Sequence, residues 1–284
     1  MGSLLEYAAS RGIETSLIAE ALSRTRTRAE KLKPGEILAA RTTLPSLRIY
    51  ALGQPQVLLN SRPVSWITST TKELFFCLLD CPEGLRKEQI GAIFWPEHSP
   101  QKLNGIFRST MYRLRRALFP ESVVYQDGIY SFNRQVNYWF DVEQFEELLT
   151  RAEALDEAAK EAKMALLSQA VELYRGDYLE EFFSDWCLVR RENLRLKYIS
   201  ALATLGDLHL EAQEYATALQ CYNRILLHDP YQERTYRQAI RCYILMGDRA
   251  SAVRKYQECV EILREELGLD PMPETRELYQ QIIG

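Results

Sequence analysis

Between Gln101 and Leu118 the chain carries five basic side chains, Lys102, Arg108, Arg113, Arg115 and Arg116, and no acidic one. At 100° per residue, Leu103, Phe107, Met111, Leu114 and Leu118 fall on one side of a helix, with Ile106 near the edge. The other side presents Gln101, Lys102, Gly105, Arg108, Ser109, Tyr112, Arg115 and Arg116, with Arg113 at the border. A solvated helix ordinarily mixes charge signs. A one-sided basic face suits phosphate oxygens and guanine edges, because a guanidinium bonds bidentately to O6 and N7. The chemistry implied is recognition of double-stranded DNA. Arg108, Ser109, Tyr112, Arg115 and Arg116 are expected to face a groove, with Lys102 and Arg113 nearer the phosphates.

Such a helix needs elements to hold it. Leu47, Ile49 and Ala51 alternate with Arg48 and Tyr50, a strand pattern, and Val57 to Leu59 and Val64 to Trp66 flank a turn at residues 60–63. Thr70 and Glu73 have capping-box spacing ahead of Leu74, Phe75, Leu78 and Leu79, a short helix that stops at Pro82-Glu83-Gly84. A second short helix runs from Lys87 to Phe94, and the basic helix follows to Pro120. Val123 to Phe132 then forms two β-rich arms around Asp127-Gly128, a dipeptide that tolerates the positive φ angles of a type I′ hairpin. Strands, three helices and a hairpin in this order describe a winged helix, whose third helix enters the major groove. Gln126 at the hairpin tip and Arg134 just beyond it would lie against the DNA backbone or minor groove.

After Asp141 no strand pattern returns. Ala212, Ala218, Leu219, Tyr222 and Leu226 recur 34 residues later as Met246, Ala252, Val253, Tyr256 and Val260, and Ala170 with Tyr174 marks a more diverged unit. Thirty-four is the tetratricopeptide period. The expected fold class is therefore mainly α: a winged-helix (α+β) DNA-binding domain followed by an all-α tetratricopeptide-like repeat domain. Residues 1–46 read as a helical segment, with Leu4, Leu5, Ala8, Ile13, Leu17, Ile18 and Leu22 at apolar positions, and a linker; 47–140 read as the DNA-binding domain and 141–284 as the repeats.

Charge follows the same division. The net −4 splits into +1 for residues 1–40, +5 for 41–140 and −10 for 141–284, so only the middle suits a polyanion. No apolar run approaches the ~20 residues of a membrane span, and residues 1–20 lack a signal-peptide layout, so a cytoplasmic protein without a membrane partner is expected. Cys77, Cys81, Cys187, Cys221, Cys242 and Cys259 lack metal-type spacing and read as buried thiols. His98, His209 and His228 stand far apart, and no phosphate-binding GxxxxGK[ST] loop is present, so no cofactor, metal or enzymatic constellation is expected. Asp177, Glu180, Glu181 and Asp185 read as a solvated acidic face. Trp66, Trp95, Trp139 and Trp186 read as packing anchors, with Trp139 and Phe140 placed to fasten the two domains together.

Residues 47–140 resemble the OmpR-type winged helix in its SARP/AfsR variety. The resemblance rests on Leu47-Arg48-Ile49-Tyr50-Ala51-Leu52-Gly53, Lys72-Glu73-Leu74, Phe94-Trp95-Pro96 and residues 112–118, Tyr-Arg-Leu-Arg-Arg-Ala-Leu. Residues 141–284 resemble the bacterial transcriptional activator domain of the same family, through Tyr174-Arg175-Gly176-Asp177-Tyr178-Leu179, Trp186, Arg190-Arg191 and residues 265–271, Glu-Glu-Leu-Gly-Leu-Asp-Pro. Together these cover about five sixths of the chain, and their order carries more weight than any one motif. The resemblance implies an activator that binds promoter direct repeats and contacts RNA polymerase through the loop holding Trp95, Glu97, His98 and Ser99. It further implies self-association on DNA and attachment to an upstream sensor of a larger chain; the 40 residues ahead of the first strand are too few for a receiver domain. The alternative from another class is a tetratricopeptide interaction scaffold whose winged helix binds protein.

Overall fold

The alternating residues at 47–50 form strand β1 (Ser46–Tyr50), with Leu47 and Ile49 fully buried and Arg48 exposed. The computed structural model describes residues 45–156 and 158–284, so the helix expected over 1–33 lies outside the described residues, as does most of the linker. β1 pairs antiparallel with β2 (Gln56–Leu59), and β2 with β3 (Arg62–Pro63). The turn is tighter than the four-residue one expected. Only Asn60 and Ser61 separate the strands, at φ 50° and 64°, so the third strand starts at Arg62 instead of Val64. Pro63 sits opposite Leu58 on an edge strand, where its missing amide is tolerated. The sheet order is β3-β2-β1-β7, closed by an unanticipated strand, β7 (Asn137–Phe140).

Helix α1 (Ser69–Asp80) is capped by Thr68, whose side chain accepts from the Thr71 amide at 3.2 Å; the expected Thr70–Glu73 box does not form. Helix α2 (Lys87–Phe94) has the expected bounds, and α3 (Pro100–Ala117) begins at a proline, favoured in a first helical turn. A second sheet, of order β4-β6-β5, joins β4 (Leu85–Arg86), β5 (Val123–Gln126) and β6 (Ile129–Phe132). β5 and β6 pair from Gln126–Ile129 to Val123–Phe132 across Asp127 and Gly128, both at positive φ (54° and 83°), which is the two-residue hairpin geometry expected. β4 escaped the sequence reading because two residues show no periodicity.

The remainder is helical: α4 (Asp141–Glu153), α5 (Lys160–Leu173), α6 (Asp185–Glu211), α7 (Tyr215–His228), α8 (Glu233–Leu245), α9 (Arg249–Leu267) and α10 (Pro273–Ile283). α4 packs on α5, α6 on α7 and α8 on α9. The small and large residues of the 34-residue pattern fall where these helices meet. Ala170, Ala218 and Ala252 are fully buried, Tyr174 stacks on Tyr198 at 4.1 Å, and Tyr256 stacks on Tyr279 at 4.1 Å. Leu226 joins Tyr236, Cys259 and Leu263 in one apolar cluster. The chain is thus mainly helical with small sheets near its N-terminal end. Among the described residues no helix is long and apolar enough to cross a membrane, and no group of His, Cys, Asp and Glu could hold a metal.

Residues 47–134 and 138–284 form one compact unit, and the reason is a backbone seam. Leu179 donates its amide to the Ala51 carbonyl at 2.8 Å, and Gly53 donates its amide to the Asp177 carbonyl at 3.1 Å. Gly53 (φ +110°) and Gly176 lie so close that a Cβ on Gly176 would be 3.1 Å from the Gly53 Cα. Arg191 donates to the carbonyls of Tyr178, Leu179 and Phe182 at 2.6–2.7 Å. From α4, the buried Asp141 carboxylate accepts the amides of Ala51 at 2.9 Å and Leu52 at 3.0 Å.

The acidic run expected to be a solvated face is part of this seam. Glu181 pairs with Lys72 at 2.7 Å, Glu180 accepts from Gln54 at 3.2 Å, and Asp177 accepts from the Tyr174 hydroxyl at 2.9 Å. Trp186 donates its indole N–H to Glu73 at 3.1 Å, and Arg190 bridges Asp80 on α1 to Glu146 on α4. Of the pair expected to fasten the halves, Phe140 is buried and Trp139 packs on Tyr50 at 5.3 Å, the ring over which Arg175 lies at 5.5 Å.

Two outcomes follow. Gly176→Val places a branched side chain in the seam and should lower stability by about 1–3 kcal/mol in urea denaturation. Burial pushes the Asp141 carboxyl up to about 6, against the opposing pull of the Leu52 and Ala51 amides. A folded-state value above the unfolded 3.8 makes the folded chain bind the extra proton, so this group's stabilisation is full below about pH 4 and lost as pH rises through about 6. Paired thermal melts should show the stability of the wild type relative to Asp141→Asn decreasing between about pH 4.5 and about pH 7.

Candidate nucleic-acid interface

Helix α3 buries Phe107, Thr110, Met111 and Leu114, followed by Leu118, against α1 and α2, which is the apolar stripe the wheel places there. Its opposite face is open. Lys102, Arg108 and Arg116 are exposed, Tyr112 is 64% exposed, and Ser109, Arg113 and Arg115 are half-buried. Among the described residues the side chains of Lys102, Arg108, Arg113 and Arg116 make no hydrogen bond or ion pair. Four cations on one helix face without protein acceptors leave that face with an uncompensated positive field. Arg115 differs, since it donates through Nη2 to the Val123 carbonyl at 3.1 Å.

The β5–β6 hairpin stands beside this face. Tyr130 on β6 meets Phe107 of α3 edge-on at 4.9 Å and packs on Tyr125 at 4.5 Å. Burial pushes the Tyr130 hydroxyl up, with Arg115 and Arg108 close enough to oppose the shift. Gln126 is exposed at the end of β5. Arg134 is turned inward: its guanidinium bonds the Leu79 carbonyl, the Tyr138 hydroxyl at 3.0 Å and the Glu143 carboxylate. The structure therefore leaves Gln126 exposed at the hairpin end and sets Arg134 apart. In the loop between α2 and α3, Trp95 packs on Phe94 at 5.8 Å, while Glu97, His98 and Ser99 are exposed. His98 donates its amide to the Trp95 carbonyl at 3.1 Å and Leu103 to that of Ser99 at 2.9 Å, which fixes the loop against the start of α3.

Two basic residues join the group without having been read from sequence. Arg86 pairs with Ile129 in the hairpin sheet, and Lys87 donates to Asn104 of α3 at 2.8 Å. With Tyr125, Asp127 and Tyr130 they border an open cleft of about 440 Å³. A two-residue strand leading into an eight-residue helix gives no sequence signal that it will pair with a hairpin some 40 residues on.

A mainly helical protein with a basic helix–hairpin face at one end matches solved and curated proteins. Its fold is that of Mycobacterium tuberculosis EmbR, solved with a low-affinity phosphopeptide: TM-score 0.67 at 19% identity, over 84% of this chain and 65% of that one. Regulatory protein AfsR of Streptomyces coelicolor is 27% identical over 197 residues, 66% of this chain and 19% of the relative. Regulatory protein AfsR of Streptomyces griseus is 26% identical over 245 residues, 85% of this chain and 25% of the relative. The chain thus spans a quarter or less of the length of these curated relatives. Residues 140–283 match the family described as the bacterial transcriptional activator domain. The chain belongs to that family, in the arrangement of the SARP/AfsR-type regulators, a class of transcription regulators.

The inward and outward arginines separate by experiment. Arg134→Ala should cost about 1–3 kcal/mol, because buried acceptors lose their donor. Arg108→Ala and Tyr112→Ala should each stay within about 0.5 kcal/mol of wild type in the same urea titration.

Proposed function

We propose that residues 47–140 are an OmpR-type winged helix that binds double-stranded DNA in a sequence-specific way, and that residues 141–284 are a tetratricopeptide-like activator domain making protein contacts. The observation that carries this is the unpaired basic face of α3, beside a hairpin held at its flank. A major groove roughly 12 Å wide admits one helix, and α3 is the helix of residues 47–140 whose outward face carries several cations and no acid. Arg108, Ser109, Tyr112 and Arg116 face the base edges; Lys102 and Arg113 take phosphates; Gln126, with Arg86 and Lys87, meets the backbone next to the hairpin. Arg134 takes no DNA contact, since its donors are engaged within the chain.

The exposed loop bearing Glu97, His98 and Ser99, anchored by Trp95, is the surface offered to RNA polymerase. The helical region carries net −10, which disfavours a face-on approach to DNA and suits contacts with polymerase, with a second copy on an adjacent repeat, or with a sensor of a longer chain. Membership in a family of transcriptional activators supports the activator reading, and a promoter-binding protein works in the cytoplasm of a bacterium.

Selection of bound sequences from a random duplex pool, followed by gel-shift titration across salt concentrations, tests this. The expected result is a directly repeated motif and affinity that falls steeply with salt through counterion release. Arg108→Ala should lose about 1–3 kcal/mol and relax preference at one position. Retention of the pool without enrichment of any sequence would overturn the reading in favour of a protein-binding scaffold.

A further inference from the structure

Arg115 was expected to face the groove with its neighbours, and its surroundings give it a different task. β5 is an edge strand of the order β4-β6-β5. At the open end of the hairpin Asn133 donates its amide to the Ser122 carbonyl at 3.0 Å, so Ser122 and Asn133 are a hydrogen-bonded pair. Bonded and non-bonded pairs alternate along an antiparallel ladder. The next pair, Val123 with Phe132, is therefore non-bonded, and the Val123 carbonyl points away from β6, on the side where the sheet has no further strand among the described residues. Arg115 Nη2 supplies the donor, at 3.1 Å. The same alternation makes Tyr125 and Tyr130 a non-bonded pair, the kind whose side chains approach most closely, and their rings lie 4.5 Å apart with Tyr130 edge-on to Phe107.

The hairpin is thus joined to α3 twice, by ring contact at Phe107 and by a charged donor two helical turns further on at Arg115. Arg115 Nε is itself buried, without a hydrogen-bond partner among the described residues. Rotating this guanidinium out toward DNA would leave the Val123 carbonyl without its donor. Arg108 and Arg116, both exposed, have no such tie among the described residues.

We propose that Arg115 is a positioning residue: it sets the angle of the β5–β6 hairpin on the recognition helix and does not read a base. This rests on the DNA-binding reading above, and deepens it by assigning the coupling between helix and wing to one side chain. Loss of the tie should weaken every duplex alike, because the hairpin contributes backbone contacts, whereas loss of a base-reading arginine relaxes one position.

The test compares the full chain with Arg115→Ala, Arg115→Lys and Arg108→Ala. Amide hydrogen exchange is followed over residues 122–133 of the free protein, and affinity, base preference and hydroxyl-radical protection are measured on the selected duplex. Arg115→Ala should speed exchange across the hairpin and weaken binding roughly tenfold for all sequences, while the preferred motif stays unchanged and protection beside the α3 contact is lost. Arg115→Lys keeps one cationic donor and should recover part of both effects. Arg108→Ala should leave exchange unaltered and relax one base position. Unchanged exchange in Arg115→Ala, or a base preference relaxed at a single position, would overturn the proposal. If the wild-type chain selects no duplex, the DNA-binding reading falls, while the exchange comparison still decides whether Arg115 holds the hairpin.

Discussion

The backbone of residues 51–53 takes hydrogen bonds from two directions, and the rest of the molecule is arranged around that fact. The Asp141 carboxylate holds the amides of Ala51 and Leu52, while residues 177–180 engage the Ala51 carbonyl and the Gly53 amide. A strand leaving a small sheet would otherwise expose these groups, and an unpaired buried amide or carbonyl costs about 1–3 kcal/mol. Each half of the chain satisfies the polar backbone of the other. That is why a helix–hairpin module and a helical repeat region form one body.

Charge is used differently on the two sides of this seam. At the contact, cations and anions are paired: Lys72 with Glu181, and Arg190 with both Asp80 and Glu146. Asp80 is largely desolvated, which raises its pKa, and Arg190 opposes that shift. A buried carboxylate of this kind gains little net stability from its partner but is costly to leave alone, so such groups fix which surfaces meet more than how strongly they adhere. On α3 the arginines other than Arg115 stay unpaired, although the chain as a whole is acidic. Glu181, Asp80 and Glu146 are engaged in the seam, and the basic face of α3 stays exposed.

Three arginines illustrate how far residue type alone can be taken. Arg116 is exposed and its side chain bonds nothing among the described residues, Arg115 caps a strand carbonyl, and Arg134 is held by Leu79, Tyr138 and Glu143. A wheel separates the faces of α3 because burial follows the 3.6-residue period. It cannot foresee that an edge strand 8 residues on will lack a partner for one carbonyl. The acidic stretch around Asp177 is a similar case, because its acceptors are met by residues more than 100 positions away.

Local rules determined the elements themselves. The alternation at 47–50 and the apolar stripe of α3 express the backbone periods of strand and helix, Asp127-Gly128 expresses a turn preference, and the 34-residue recurrence is met by α7 and α9, whose first residues are Tyr215 and Arg249. Tertiary structure decided the pairings. The cap moved from Thr70 to Thr68, Glu73 became the acceptor of Trp186, and two motifs that look independent in the sequence, Leu52-Gly53 and Tyr174 to Leu179, proved to be the two sides of one contact. Those outcomes depend on which polar groups remain unsatisfied once the chain is compact, a quantity that has no local signature.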